Sequence, residues 1–201
     1  LYLPRKMPSP NTPPFRDAVA QEVTALLEVT HGRAFVLFTS HTNLREVYAR
    51  LKSNVSFPLL LQGTAPRTVL LREFRETPNA VLLATASFWQ GVDVAGEALS
   101  CVIIDKLPFA SPGDPLTAAR MEKIETDGGN PFEEFQIPLA ILTLQQGLGR
   151  LLRHSSDRGV LALLDPRLHS KGYGRRFLAS LPPAPVTHDL TKVDHFFNGV
   201  D

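Results

Sequence analysis

Residues 33–40 read RAFVLFTS, a continuous apolar run that follows a glycine and ends in two hydroxyl side chains. Uninterrupted apolar residues are typical of a strand that is buried on both faces of a parallel sheet. Further strand candidates are PLLLQG at 58–63, AVLLAT at 80–85, SCVIID at 100–105 and GVLALLD at 159–165. The core of this protein is therefore predicted to be a sheet of buried strands.

Helical patterns lie between the strand candidates. Residues 15–30 place apolar side chains at helical spacing, as in an amphipathic helix. Asp114 followed by Pro115 is typical of a helix start, and this helix is expected to continue to about Thr126. Further helices are predicted after residue 40, from Pro66, over 132–154 with a kink or early turn at Pro138, and over 173–181. Strands that alternate with helices predict an α/β fold with an open, mainly parallel sheet.

Composition excludes several kinds of site. The net charge is +1, so any nucleic-acid contact must come from a local patch and not from the overall field. Cys101 is the only cysteine, which excludes intrachain disulfides and cysteine-based zinc or iron–sulfur sites within this chain and fits the reducing cytosol. No apolar run approaches the roughly 20 residues that span a bilayer. The proline-rich start lacks a signal-peptide core, and we expect this chain to be a fragment of a longer protein.

Ligands of a parallel α/β sheet bind at the carboxyl ends of its strands. Polar side chains follow the predicted strands at 39–41, 85–93, 105–108 and 165–167. The richest of these places is ATASFWQGVDV (84–94), whose hydroxyl and backbone N–H groups could hold phosphate oxygens. Trp89 offers a face on which a base could stack, and Gly91 permits close approach of the backbone. The alternative is that Trp89 packs in the core.

Two arginines end a mostly apolar helical pattern in TLQQGLGRLLRHSSDRG (143–159). Arg150 and Arg153 would lie on the same side of a helix, where their planar guanidinium groups suit a phosphate. An arginine can also stabilise the charge that develops on a transferring phosphoryl group. The alternative is a pair of arginines on a solvated helix face. The chain has no G-x-x-x-x-G-K-[ST] phosphate loop, so a phosphate clamp here implies a second domain that supplies the phosphate cradle.

Several of these stretches resemble helicase motifs. Motifs IV, V and VI of superfamily-two helicases in the XPD/DinG branch are resembled by FVLFTS, ATASFWQGVDV and QQGLGRLLRHSSDRG. The bacterial DinG-like members of that branch are resembled in two further stretches, VIIDKLPFASPGDPLTAARME and YGRRFLASLPPAP. The resemblance covers nearly the whole chain and implies a RecA-like three-layer domain, the second of two. The first domain of such helicases carries the phosphate loop, the magnesium motif and an iron–sulfur cluster. ATP and Mg²⁺ are therefore expected to be bound mainly by that first domain.

The resemblance also implies roles for individual residues. Arg150 and Arg153 match the catalytic arginine fingers of motif VI, which reach ATP across the cleft between the domains. Cofactor-binding positions in motifs VI and V are matched by Gln146, Gly149, Gly91 and Asp93. Contacts to single-stranded DNA are expected from Thr39, Ser40, Ser87 and Trp89. The chain departs from many relatives at Gln90, where they carry glutamate, so a role there that depends on charge is in doubt.

The function implied by the resemblance is that of the C-terminal motor domain of an ATP-dependent, 5′-to-3′ DNA helicase in DNA repair. Its implied partners are single-stranded DNA and the first RecA-like domain of the same protein. The alternative class is a non-enzymatic module that binds single-stranded nucleic acid or a protein.

The chain is expected to divide into a proline-rich N-terminal segment (1–14), the motor domain (15–181) and a C-terminal tail (182–201). The tail ends in THDLTKVDHFFNGVD, where a short helix would gather on one face Leu190, Val193, Phe196 and Phe197. One hypothesis is a docking helix, and because DinG-like helicases of this kind are associated with the chi subunit of the replicative polymerase's clamp loader, chi is the implied partner. The alternative is that the helix folds back onto its own sheet.

Overall fold

A parallel sheet forms the centre of the computed structural model, which describes residues 1–10, 12–85, 88, 99–111, 113–148 and 159–199. Its strands are β1 (Ala34–Phe38), β2 (Leu59–Leu61), β3 (Val81–Thr85), β4 (Cys101–Ile104) and β5 (Val160–Leu163). They are arranged in the order β2-β3-β1-β4-β5, and every neighbouring pair is parallel. Each strand lies inside one of the apolar runs predicted from the sequence, and the α/β fold class with a mainly parallel sheet is confirmed.

The helices of the described residues connect and flank these strands. They are α1 (Pro14–Thr30), α2 (His41–Leu51), α3 (Arg67–Glu76), α4 (Pro115–Thr126), α5 (Ile137–Leu148), α6 (Arg167–Ser170), α7 (Gly174–Ser180) and α8 (Leu190–Asn198). Asp114 caps α4 as predicted, since its carboxylate accepts a hydrogen bond of 2.8 Å from the Thr117 N–H. A π-helical turn (Phe132–Gln136) precedes α5, so Pro138 lies in the first turn of a new helix, where a missing N–H costs little. The short helix α6 had no counterpart in the sequence prediction.

Two apolar layers cover the two faces of the sheet. Helices α1 and α2 pack on one face through large buried side chains, namely Phe15, Val23, Leu27, Leu44 and Leu51. Helices α3, α5 and α7 pack on the other face through Leu70, Phe74, Ile137, Leu144 and Phe177. Successive residues of β1 alternate between these layers, because strand side chains point to opposite faces in turn. The result is a three-layer α/β architecture in which the strand ends are the polar edge of the core.

The connection from α1 into β1 depends on a glycine. Helix α1 ends at His31 in the left-handed conformation, and Gly32 follows with φ of +71°. A β-carbon on Gly32 would lie 2.1 Å from the carbonyl oxygen of Asn79, which is backbone and cannot move aside. Glycine is therefore required here on two grounds, its positive φ and the close approach of the chain before β3.

Both ends of the described chain extend the β5 edge of the sheet. The Tyr2 N–H donates to the Leu161 carbonyl at 2.7 Å, and the Tyr2 carbonyl accepts from the Leu163 N–H at 3.1 Å. On its other side, the Leu3 N–H donates to the Thr187 carbonyl at 2.9 Å. Residues from the predicted N-terminal segment and from the predicted tail thus pair with each other and with β5.

Candidate functional site

All five strands end at the same edge of the sheet, and polar side chains follow each of them there. We call this edge the strand-end rim and define it by Thr39, Ser40, Gln62, Thr85, Asp105 and Asp165. The rule that parallel sheets bind ligands at this edge makes the rim the candidate site.

The turn after β1 starts helix α2. Ser40 has an extended backbone, and its Oγ accepts a hydrogen bond of 3.2 Å from the Asn43 N–H, which is the usual arrangement of an N-cap serine. Thr39 and Ser40 are both partly exposed at this turn. A cavity of about 520 Å³ lies over the first turn of α2, and it is lined by one cation and one carboxylate among His41, Thr42, Arg45 and Glu46. The N-terminal end of a helix favours an anion, so a phosphate could be held at this turn.

Asp105 lies beneath that turn, directly after β4, and is 1% exposed. Its Oδ1 accepts from the N–H groups of Thr39 at 3.0 Å and of Lys106 at 2.8 Å. Its Oδ2 accepts from the side-chain amide of Asn43 at 3.1 Å. Burial raises the pKa of Asp105 to about 6, although these hydrogen bonds and the charge of Lys106 oppose the rise.

Asp165 lies two residues after the end of β5 and is 3% exposed. Its carboxylate accepts two hydrogen bonds from the Arg167 guanidinium, from Nε at 2.9 Å and from Nη2 at 2.6 Å. It also accepts from the Leu107 N–H at 2.8 Å and from the Arg167 N–H at 2.9 Å. The Arg167 guanidinium lies over the ring of Phe109, 5.2 Å from its centroid. Its position is therefore fixed by both the aromatic ring and the Asp165 carboxylate.

A third connection of this kind joins β2 to β3. The Oε1 of Gln62 accepts from the Thr85 N–H at 2.6 Å and from the Thr85 hydroxyl at 3.0 Å. Across the rim, a side chain that follows one strand therefore binds the backbone at the end of its neighbour, in the pairs β2 with β3, β4 with β1 and β5 with β4. These bonds fix the shapes of the turns from which a ligand would be contacted.

The sequence prediction chose the rim segments at the ends of β1, β3, β4 and β5, but it chose neither the segment after β2 nor any of the three acceptors. Asp105 and Asp165 lay in stretches marked as strand ends, yet neither was assigned a role. The available signal was an acidic residue directly after a buried apolar run, where a carboxylate is desolvated unless several donors surround it. Gln62 carried no comparable signal, because an amide after a short strand is common at protein surfaces.

Several predicted site residues lie outside the described residues, and their roles stay predictions. They are Ser87, Trp89, Gln90, Gly91, Asp93, Gly149, Arg150 and Arg153. Gln146 is described and lies exposed in the last turn of α5. The preceding Gln145 donates from Nε2 to the Ser180 carbonyl at 2.7 Å, which ties the end of α5 to α7. That contact orients the helix from which motif VI continues.

Helix α8, the predicted docking helix, lies against α1. Val193 is 4% exposed and joins the core layer on that face, with Leu190 and Phe197 packed beside it. The Arg33 guanidinium lies over the Phe197 ring at 5.7 Å, and the Asn198 side chain contacts His31 at 3.2 Å. Phe196 is 45% exposed. The four apolar residues predicted for one face thus divide between the domain core and the surface.

The described ranges contain neither a metal-binding cluster nor a candidate membrane span. Within those ranges, no group of three or more His, Cys, Asp or Glu side chains is placed to hold a metal ion. Among the helices that the structure describes, we find no candidate for a membrane-spanning segment.

Comparison with protein families matches residues 23–184 to the helicase C-terminal domain. The ATP-dependent DNA helicase YoaA of Escherichia coli K12 is 48% identical over 192 residues, which are 96% of this chain and 30% of that protein. The ATP-dependent helicase DinG of Mycobacterium tuberculosis H37Rv is 39% identical over 198 residues, 96% of this chain and 29% of that protein. The protein named 3′-5′ exonuclease DinG of Bacillus subtilis is 39% identical over 195 residues, 93% of this chain and 21% of that protein. The chain thus spans less than a third of the length of these relatives.

Solved structures show the same fold. An XPD helicase structure superposes with a TM-score of 0.69 at 20% identity, covering 92% of this chain and 34% of that one. The C-terminal domain of the DEAD-box protein Dbp5 superposes with a TM-score of 0.60 at 16% identity, covering 100% of this chain and 96% of that one. The RecA-like fold of helicase C-terminal domains is therefore confirmed, as is the resemblance to the XPD/DinG branch.

Proposed function

This chain belongs to the helicase C-terminal domain family, and from that premise we propose that it is the second RecA-like motor domain of an ATP-dependent DNA helicase. The observation that carries the proposal is the strand-end rim, whose β1 turn coincides with motif IV. The chain has no phosphate loop of its own, although motif VI supplies arginines suited to phosphate. A domain of this kind completes a nucleotide site that a first domain begins.

In the proposed cycle, ATP and Mg²⁺ are held mainly by the first domain, which also carries the iron–sulfur cluster. Arg150 and Arg153 approach the γ-phosphate when the two domains close, and they stabilise its charge during hydrolysis. The positions Gln146, Gly149, Gly91 and Asp93 support the nucleotide from motifs VI and V. Release of the phosphate opens the cleft again, so one hydrolysis event drives one closing and opening of the two domains.

The DNA track on this domain is proposed to run along the rim at the β1 and β3 ends. Thr39 and Ser40 contact the DNA backbone beside the N-terminus of α2, while Ser87 and Trp89 complete the grip from motif V. Closing and opening of the domains moves this grip one step along the single strand. The proposed direction is 5′ to 3′, and the proposed role is in DNA repair.

The first experiment separates the motor domain from a self-sufficient ATPase. We expect the purified 201-residue chain to show no ATP hydrolysis, because arginine fingers alone cannot assemble the reacting geometry without a phosphate loop and a magnesium ligand. The whole protein should hydrolyse ATP faster when single-stranded DNA is added. Robust, DNA-stimulated hydrolysis by the isolated chain would refute the proposal, and a whole protein that binds DNA without any hydrolysis would favour a binding module.

A second experiment concerns helix α8 and the proposed partner chi. Phe196 is 45% exposed on a helix whose neighbour Val193 is 4% exposed, so the two residues form a matched pair. Aromatic anchors dominate small interfaces, and Phe196→Ala should weaken the binding of purified chi by at least about 2 kcal/mol with little change in melting temperature. Val193→Ala should instead lower the stability of the domain by about 1.5–3 kcal/mol.

Binding of chi is measured by calorimetry, with thermal melts of both variants as the control. If Phe196→Ala binds chi as tightly as the wild type but melts earlier, the Phe196 side chain belongs to the fold. That result would show that the tail is not part of the interface with chi.

A further inference from the structure

Asp105 is a buried carboxylate at the polar rim of the sheet. It is 1% exposed, yet it directly follows β4 at the rim where polar residues contact ligands. Its carboxylate binds parts of the chain that are far apart in sequence: the backbone of Thr39 after β1, the backbone of Lys106 and the side chain of Asn43 in α2. One side chain therefore sets the relative positions of the β1 turn, the β4 turn and the first turn of α2.

Asn43 connects this arrangement to helix α1 and to the Ser40 cap of α2. Its amide nitrogen donates to Asp105, and its Oδ1 accepts from the Arg16 Nε of α1 at 3.1 Å. The Asn43 backbone N–H in turn donates to the Ser40 hydroxyl oxygen. That hydroxyl keeps its own hydrogen for another acceptor, because it serves only as an acceptor in this bond. The partly exposed β1 turn thus combines a hydroxyl that can still donate with the N-terminus of α2.

We propose that Asp105 is a positioning residue for single-stranded DNA, whose carboxylate holds the Thr39–Ser40 turn and the start of α2 in the conformation that receives a DNA phosphate. It acts through Asn43 and the Thr39 backbone and does not touch DNA itself. The inference rests on the proposed function, since it adds a residue to the same DNA track. Asp105 would then influence DNA affinity from beneath the Thr39–Ser40 turn, which is the part that contacts DNA in this proposal.

Burial makes the ionised form of Asp105 costly in the folded protein. Asp105 has a pKa of about 6 in the folded protein against 3.8 for the ordinary side chain, because burial disfavours its charged form. The folded state therefore binds the proton more tightly between these values, and the free energy of unfolding decreases as the pH rises through this range. At neutral pH the ionised carboxylate is therefore less favourable for folding than the protonated form, so its hydrogen bonds to Thr39, Lys106 and Asn43 are made at a cost.

Other charged groups face Asp105 from the elements around it. Lys106 follows it in the chain, and Arg16 of α1 reaches it through Asn43. Glu46 of α2 pairs with Arg16 at 3.0 Å and partly balances its charge. Arg167, after β5, interacts electrostatically with Asp105 from the other side.

The test exchanges the donor and the acceptor. In Asp105→Asn, the new side-chain NH₂ group would face the NH₂ group of Asn43, so this hydrogen bond is lost. The remaining amide oxygen can still accept from the Thr39 N–H. We expect the whole helicase carrying Asp105→Asn to bind a fluorescent oligothymidine about tenfold more weakly at neutral pH. The double variant Asp105→Asn with Asn43→Asp restores a carboxylate–amide pair and should recover most of the affinity. Asp105→Asn should also melt somewhat earlier, because it leaves buried amide donors without acceptors, and the double variant should melt close to the wild type.

A pH profile supplies a readout that a purely structural role would not produce. The wild-type affinity should decrease as the pH falls through about 6, where Asp105 takes up its proton. In the double variant the carboxylate lies beside Arg16, so its loss of affinity should occur at lower pH. The three proteins share all their other titratable groups, so only the differences between their profiles report this carboxylate. The kcat at saturating DNA should change little, while the KM for DNA rises in Asp105→Asn.

Two results would overturn the inference. Wild-type affinity for DNA in Asp105→Asn would show that the carboxylate does not position the turn. Weak binding together with a large fall in melting temperature, neither of which the double variant restores, would assign Asp105 to the fold alone. A wild-type helicase that binds no single-stranded DNA at any pH would refute the proposed function, and this inference with it, whereas the first two results leave the proposed function intact.

Discussion

Replacing Arg153 with alanine in the whole helicase is expected to lower kcat for ATP hydrolysis by about 10³-fold or more, the scale of an arginine finger. Arg153 is assigned by motif VI and lies outside the described residues, so the expectation rests on its place in the sequence after α5. The affinity for single-stranded DNA should change little, since the proposed contact is with the nucleotide. Steady-state hydrolysis at saturating DNA and a separate DNA titration measure the two quantities.

Two further variants sharpen this test. Arg175→Ala removes an exposed arginine of α7 and serves as the control for a general loss of positive charge. Arg153→Lys keeps the charge but removes the planar fork, so it should recover only part of the activity. If DNA binding collapses in Arg153→Ala while turnover per bound complex is normal, Arg153 contacts DNA and its assignment to the nucleotide is wrong.

Replacing Asp165 with alanine is expected to lower the free energy of unfolding by about 3–5 kcal/mol. The substitution would leave the Arg167 guanidinium, whose side chain is 24% exposed, without its counter-ion. It would also leave the backbone N–H groups of Leu107 and Arg167 without their acceptor, and each unsatisfied buried donor adds to the loss. Urea denaturation of the purified chain measures the change.

The chain offers a matched control for this prediction. Asp17 forms an ion pair with Arg50 at 2.6 Å, the same length as the pair of Asp165 with Arg167, but its side chain is 61% exposed. Surface pairs contribute about 0–1 kcal/mol, so Asp17→Ala should have a small effect. Adding Arg167→Met to Asp165→Ala should recover part of the loss, because it removes the unpaired charge. Equal destabilisation by Asp17→Ala and Asp165→Ala would show that burial is not the cause.

Local patterns in the sequence were sufficient for the order and the type of most elements. The strand candidates contain β1 to β5, and the start of α4 at Asp114 and Pro115 is where the capping signal predicted it. Such features are decided within a few residues, by apolar periodicity and by the hydrogen bonds of a helix N-terminus. The short helix α6 was missed because a single turn has too few residues to show a period.

Local patterns were less informative about the site residues than about the helices and strands. The strand-end rule located Thr39 and Ser40 at the rim, since parallel strands must end at one edge. Residue chemistry suggested a phosphate clamp at Arg150 and Arg153 and a stacking face at Trp89, the family resemblance gave them specific roles, and all three lie outside the described residues. The motifs alone did not predict the hydrogen bonds that Asp105 and Asp165 make beneath the strand-end rim.

The sequence by itself determined an α/β domain of buried parallel strands, because the apolar runs and the helical periods between them admit few other arrangements. Only the tertiary structure decided that Asp105 holds Thr39 and that Asp165 holds Leu107, since these partners are 66 and 58 residues apart in the chain. It also decided that Tyr2 pairs with β5 and that Val193 of the tail enters the core. Contacts between distant residues depend on how whole layers pack, and no local pattern records which backbone donors a buried carboxylate will meet.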